Sequence, residues 1–249
     1  MGRPVILSNG SMMVGLNEQG LVHDFYYPYV GLDNLTNARS AHHKVGVWVD
    51  GEFHWIDDGT WEVSIDFEDA ALISTIKLKH SKLELEILFK DFVDSSVNAF
   101  CRDITVHNTA DKARDVRVFM HQVFQISRAG RADTALFVPD EPYVLDYKGN
   151  CSLLIYGQHE GGKPFDQYAI GIYGIESKEG TFRDAEDGEL SGNPVEHGGV
   201  DSVIRFSLPL KPKSSQHIYY WIVAADSQYA AQKYHDEIQK DGLPARLDK

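Results

Sequence analysis

Basic residues are scarce in this sequence: 24 Lys and Arg stand against 37 Asp and Glu, a net charge of −13. A chain so acidic has no surplus of cations to neutralise a run of phosphates. Nucleic acid is therefore excluded as a partner, and an anionic membrane surface with it. Cysteine is almost missing. Cys101 and Cys151 both lie in apolar runs and read as buried thiols acting as small hydrophobes, not as a disulfide or a reactive pair. No apolar run is long enough to span a bilayer, and "MGRPVILSNG" at the start lacks the apolar stretch of a signal peptide. A cytoplasmic location is the expectation. On that basis the N-x-Ser/Thr sequons at Asn9, Asn34 and Asn150 read as chance matches.

Catalytic signatures are equally sparse. The sequence holds no His-Glu-x-x-His, no Cys-x-x-Cys, no serine nucleophile elbow, no phosphate-binding loop and no dinucleotide fingerprint. Neither a metal nor a cofactor is predicted. His42 and His43 are adjacent, so on a strand they point to opposite faces and do not serve one ion. His121, inside an apolar run, reads as a hydrogen-bonded core histidine.

What is present is core material. Hydrophobic residues make up 43% of 249 residues, enough for a sizeable interior in one large domain. Short apolar or alternating runs recur between Gly, Pro, Asn and Asp. "VGVWVDGEFHWI" (45–56) predicts a hairpin turning at Asp50-Gly51, a pair that accepts the positive φ of a type I′ turn. "WEVSIDF" (61–67) alternates. "ISTIKLKHSKLELEILF" (73–89) predicts a second hairpin with its turn at His80-Ser81, Lys77 opposite Glu84, and Ile76, Leu78, Leu83 and Leu85 sharing one face. Runs at 98–108 and 115–126 follow, the second apolar on both faces. More strands are predicted at 133–138, 143–147, 151–157, 167–175, 201–208 and 216–224. About fifteen short strands at this spacing specify an all-β fold, a large antiparallel sandwich. One helix is predicted, 226–242, capped by Asp226 or Ser227, striped by Ala231, Tyr234 and Ile238, and stopped by Gly242 and Pro244. The tail "LPARLDK" reads as the start of a linker.

"GTFRDAEDGELSGN" (180–193) crowds Asp184, Glu186, Asp187 and Glu189 together. As an EF-hand it fails: counted from Asp184, position 6 is Glu189 rather than Gly, and position 12 is Val195 rather than Glu. As a catalytic pair it lacks the rigid frame that holds two carboxylates across a scissile bond. It reads as a solvated hairpin loop. The aromatics support two readings. Trp48, Trp55 and Trp61 either fill the core, with Trp48 and Trp55 paired across their hairpin, or form a sugar-stacking platform. "DFYYPYVGLDN", with Phe25, Tyr26, Tyr27 and Tyr29, is the better contact-surface candidate, because loops carry function and this one is too aromatic for filler.

Three stretches carry a resemblance: "LSNGSMMVGLNEQGLVHDFYYPYVGLDN", "DTALFVPDEPYVLDYKG" and "GTFRDAEDGELSGNPVEHGGVDSVIRFSLPL". Together, in order along nearly the whole chain, they resemble the N-terminal domain of bacterial and archaeal glycoside hydrolase family 15 proteins, the glucoamylase, glucodextranase and trehalase-like enzymes. The resemblance implies a β-supersandwich of galactose mutarotase-like fold over residues 1–225. Residues 226–249 would then be the helix and the start of a linker to a catalytic (α/α)6 barrel, whose two glutamates act as general acid and base with inversion. No catalytic residue falls on this chain. The implied role is a non-catalytic domain whose partner is that barrel, packed against it and shaping its rim. Phe25, Tyr26, Tyr27, Tyr29, Tyr234 and Ile238 are the candidates for the interface or for an oligosaccharide. Two rival expectations are a free carbohydrate-binding protein, favoured by an exposed aromatic row in a groove, and a mutarotase or epimerase. The latter needs a histidine and a carboxylate converging on a concave face.

Overall fold

Asp50 and Gly51 adopt φ of 50° and 100°, and that turn joins strand β4 (Val45–Val49) to β5 (Glu52–Trp55) as the sequence requires. The computed structural model describes residues 4–36, 42–68, 71–126 and 133–247. Ahead of this hairpin lie β1 (Val5–Ser8), β2 (Met13–Leu16) and β3 (Val22–Tyr26), a three-stranded antiparallel sheet in sequence order. After it come β6 (Glu62–Phe67), β7 (Ser74–His80), β8 (Leu85–Val93), β9 (Ala99–Asn108) and β10 (Arg114–Phe124). Then follow β11 (Asp133–Val138), β12 (Tyr143–Lys148), β13 (Cys151–His159), β14 (Gln167–Ile172), β15 (Val195–Gly198), β16 (Val200–Leu210) and β17 (Ser215–Ala225).

These strands build two large antiparallel sheets. One has five strands in the order β14-β16-β10-β4-β5. The other has nine, in the order β15-β11-β12-β13-β17-β9-β8-β7-β6. Alternation along each strand turns one face inward. Val47, Val118 and Phe206 line up across the five-stranded sheet, and Ile76, Phe89, Ile104 and Ile218 line the nine-stranded one. With Val5, Val14 and Phe25 of the small sheet they form one continuous buried core. Inside it, Asp91 and Arg102 form a two-pronged ion pair at 2.7 Å for each contact, and Phe89 lies against the guanidinium at 4.2 Å.

Several expectations need correction. The β7–β8 connection spans residues 81–84, so Lys79 faces Glu86 and Lys77 faces Leu88, not Glu84. The longer turn tucks Leu83 into the core, where its N–H donates to His80 Nδ1 at 3.0 Å. Trp48 stands opposite Phe53, and Trp55 opposite Gly46, so the two tryptophans do not pair. A Cβ on Gly46 would meet Phe53 at 2.4 Å and Trp55 at 2.9 Å, so its bare backbone is the seat for both rings. Strand β14 stops at Ile172, short of the expected 175.

The helix forms as α1 (Gln228–Asp241), with Ser227 Oγ accepting from Ala230 N–H at 3.3 Å and Gly242 at φ 79° ending it. Part of the tail is helical. Residues Leu243–Leu247 form a short helix α2 in which Leu243 and Arg246 are buried. Arg246 donates to Asp94 at 2.8 Å and pairs with Asp241 at 3.1 Å. The last two residues of that tail lie outside the described residues. Among the described residues, no helix is long and apolar enough to cross a membrane.

Candidate functional site

The aromatic segment begins inside β3 rather than as a loop. Phe25 is fully buried and meets Phe124 edge-on with ring centroids 5.4 Å apart. Tyr26 is half-buried at the strand end, the Tyr27–Pro28 peptide is cis, and residues 28–32 are exposed. Asn34 closes the base of the loop: its Oδ1 accepts from Phe25 N–H at 2.9 Å and its Nδ2 donates to Asp24 at 2.7 Å. Tyr27 packs against the core, and its phenol is pushed up to about 12, by burial first and then by the Asp226 carboxylate at the start of α1.

Of the residues singled out in the sequence, Tyr29 projects, at 67% exposure. Tyr234 is half-buried beside Tyr27, and Ile238 has no exposed surface because α1 lays its apolar stripe on its own sandwich. The helix stripe is therefore core, and Phe25 and Ile238 offer nothing to a partner. Sequence reasoning missed Val30 at 52%, Leu32 at 51% and Tyr229 on the first turn of α1 at 82%. Tyr229 lies off the helical stripe, and that position was the available signal.

Residues 180–193 are not a solvated hairpin loop. Thr181–Asp187 coil into a 3-10 helix that covers the outer face of the five-stranded sheet. Ala185 and Leu190 join Phe119, Ala169 and Val203 in a second small core, rimmed by Trp48, Phe53, Trp55 and Phe182. The cap is pinned by charge. Arg117 and Arg205 both donate to the Gly188 carbonyl, at 2.9 and 3.0 Å, and both pair with Glu189, at 2.6 and 2.8 Å. The Gln167 amide, and then these two guanidinium groups, hold the Glu189 carboxyl below its ordinary value against a small burial penalty. Arg117 lies over Trp48 at 4.1 Å. Asp184 and Asp187 accept from backbone N–H groups of Ser191 and Glu189. The acidic cluster is thus committed to holding its own segment in place.

Beneath this cap His121 pairs with Asp201. Lys44 N–H donates to His121 Nδ1 at 3.3 Å, which leaves the proton on Nε2 to donate to Asp201 Oδ2 at 3.2 Å. Thr181 N–H donates to the same oxygen at 2.7 Å. Both side chains are sealed under Phe182 and Tyr173, so this histidine–carboxylate pair faces no cleft.

A second histidine–carboxylate pair is open. Helix α1 covers only part of the outer face of the nine-stranded sheet, where Tyr156 and Trp221 meet His235 and Trp221 Nε1 donates to His235 Nδ1 at 3.1 Å. Farther toward β6 the face is uncovered. There His217 Nδ1 lies 3.5 Å from Asp103 Oδ1 and 3.2 Å from Thr105 Oγ1, and His107 Nδ1 lies 2.9 Å from Ser215 Oγ. Burial pushes the Asp103 carboxyl up, and His217 opposes the shift. A groove of 520 Å³ runs beside this cluster, lined by Lys77, Lys79, Glu86, Leu88, Thr105 and His107 among others.

No family model matches the chain, and no curated protein matches it. Solved structures do. A bacterial glucoamylase complexed with acarbose superposes with a TM-score of 0.77 at 13% identity, over 99% of this chain and 36% of that one. A protein assigned as a kojibiose phosphorylase, from the human microbiome, gives 0.59 at 9%, over 98% and 34%. A protein assigned as an aldose 1-epimerase, from Escherichia coli K12, gives 0.55 at 9%, over 90% and 99%. The chain therefore spans about a third of the length of the first two and nearly all of the third. At these identities the likeness is one of fold: the chain is a mutarotase-like antiparallel β-sandwich with a helix laid on its larger sheet.

Proposed function

We propose that the chain is the non-catalytic sandwich domain of a glucoamylase-like α-glucosidic hydrolase, docking and supporting an (α/α)6 catalytic barrel in carbohydrate metabolism. The observation that carries this reading is the superposition at 0.77 over 99% of the chain on about a third of a glucoamylase, against 0.55 on a free-standing epimerase-assigned protein. The exposed apolar tip at Tyr29, Val30 and Leu32 is the docking face in this reading. The chain is placed in the cytoplasm, and the finer family assignment to glycoside hydrolase family 15 belongs to the same proposal.

The test is the protein as its own cells make it. Purified at native abundance, it is expected to carry a barrel domain or barrel subunit and to hydrolyse an α-glucoside such as maltose, isomaltose or trehalose. The 249-residue chain alone is expected to leave all three intact. A native species of 28.0 kDa with no partner, or hydrolysis by the chain alone, would sink the reading.

A second reading, a mutarotase-like enzyme, is favoured by one observation: the chain matches an epimerase-assigned protein over 99% of that protein's length. The buried His121–Asp201 pair does not supply its acid and base. Polarimetry on fresh α-D-glucose decides it, since an enzyme speeds the approach to equilibrium rotation well beyond buffer.

A further inference from the structure

The uncovered half of the nine-stranded sheet has an ordered pattern that no single stretch of sequence displays. Reading across β7, β8, β9 and β17 on the outer face gives three rows. They are Lys79–Glu86–His107–Ser215, Lys77–Leu88–Thr105–His217 and Thr75–Lys90–Asp103–Tyr219. Leu88 is the apolar centre of this array. Hydrogen-bonding groups of both kinds surround it, with cations and anions interleaved so that no one sign dominates. The groove of 520 Å³ lies over the β6–β9 side of this array, from Glu62 and Ser64 of β6 across Leu88 to Thr105 and His107 of β9, with Asp103 and His217 beside it, and its volume falls within the range of about 300–1,000 Å³ usual for small-ligand sites.

The ligand that matches is a neutral ring with an apolar face and a rim of hydroxyls. An anion would meet Glu62 and Glu86 on a molecule of net charge −13, and a cation would meet Lys77 and Lys79. An apolar ligand would strand the polar rim without partners. We propose that this face is a binding site for a neutral saccharide of one or two rings. Leu88 takes the C–H face of a sugar ring, and Lys79, Glu86, Thr105 and His107 bond its hydroxyls. Thr105 is already held by His217, and His107 by Ser215, so little side-chain freedom is lost on binding. The inference rests on the carbohydrate reading of the fold, and it places the sugar on the open sheet face, away from the aromatic loop.

The experiment is titration of the isotope-labelled chain with glucose, maltose and isomaltose, followed by amide NMR. Sodium sulfate and sodium glucuronate serve as charged controls. Saturable shifts confined to β6, β7, β8 and β9 are expected with at least one neutral sugar. Leu88→Lys, Glu86→Gln and Thr105→Val should each weaken binding by about tenfold while leaving the thermal melt unchanged. Shifts that never saturate, shifts that map to Tyr29 and the aromatic loop instead, or an equal response to the charged controls would each overturn the proposal. None of these outcomes touches the docking reading, which depends on the barrel and not on sugar bound to this chain.

Discussion

At the scale of single residues, position and backbone conformation decide more than residue type. Gly188 is the clearest case. Its φ of 91° is left-handed, and a Cβ there would meet Trp48 Nε1 at 2.9 Å and Arg117 Nη1 at 3.1 Å. Both the strain and the clash act in one direction, so Gly188→Ala is expected to cost about 1–3 kcal/mol. Its check is a lowered thermal midpoint together with altered tryptophan fluorescence, because the cap carries Trp48 and Trp55 at its rim. Asp91 is a second case. Removing the carboxylate leaves the Arg102 guanidinium buried without its counter-charge. Asp91→Ala is expected to lose about 3–5 kcal/mol in a denaturant titration, far more than a typical surface change.

Asp57 gives a pH prediction of defined sign. Burial pushes its carboxyl up, but hydrogen bonds from His42 at 2.8 Å and Lys44 at 2.6 Å outweigh burial and hold it well below its ordinary value of 3.8. A depressed carboxyl contributes stability that is fully present above its unfolded value and is lost as pH falls through the folded one. Thermal melts run from pH 5 down to pH 2 should therefore fall less steeply in Asp57→Asn than in the parent chain. Equal slopes would remove Asp57 from the account of acid sensitivity.

Among secondary-structure elements, the behaviour of α1 follows from what it buries. His235 accepts from Trp221, and burial lowers its pKa from 6.5 to about 4. Between those values the unfolded chain takes up a proton that the folded chain refuses, so stability rises with pH across that window. Lowering the pH from about 7 to 4 should cost on the order of 2–3 kcal/mol at this site. His235→Gln, which keeps an acceptor and cannot titrate, should flatten that part of the profile. Hydrogen exchange on α1 at pH 5 is the direct readout: faster exchange in the parent than in the variant supports the account.

How far these elements could be read in advance depended on where the deciding information lay. The β4–β5 hairpin was legible because Asp50-Gly51 fixes both turn residues locally, and α1 was legible from its cap and stop. The register of β7 against β8 was not, since the length of the turn is set by the burial of Leu83 and its hydrogen bond to His80, which alternation alone does not specify. The cap at 180–193 was hidden because its apolar residues, Phe182, Ala185 and Leu190, are thinly spaced among carboxylates. They make sense only above Phe119 and Val203 of another sheet. The Leu88 array was invisible for a stronger reason: its rows run across strands, so neighbours in space come from four separate segments.

For the molecule as a whole, the asymmetry of its surface is the main result. The sandwich buries its own helix stripe, caps the outer face of one sheet with an acidic segment, and leaves open the loop tip around Tyr29 and the uncovered half of the larger sheet. If the loop tip docks a barrel, a double variant Tyr29→Asp/Leu32→Asp should leave the melt of this chain within about 0.5 kcal/mol of the parent, because exposed positions carry little of the core. In the intact protein the same pair should loosen the domain contact, visible as separation of the two parts under limited proteolysis. Unaltered association would move the docking face elsewhere.

Arg246 and Asp94 also meet at a crossing of distant segments. Asn9 donates to the carbonyls of Asp94 and Val97 and to Asn98, so chain from the first strand, from the β8–β9 turn and from the last short helix is tied at one corner. Mechanically, that corner is a clasp in series with the sheets. A load drawn along the chain from α2 reaches Arg246 before it reaches any strand. Extension should therefore begin with a short slip as the guanidinium leaves Asp94, and the shearing of β17 from β9 and β13 should come later and at higher force. Motion in any neighbour joined on that side would be filtered by one arginine before the sandwich registered it.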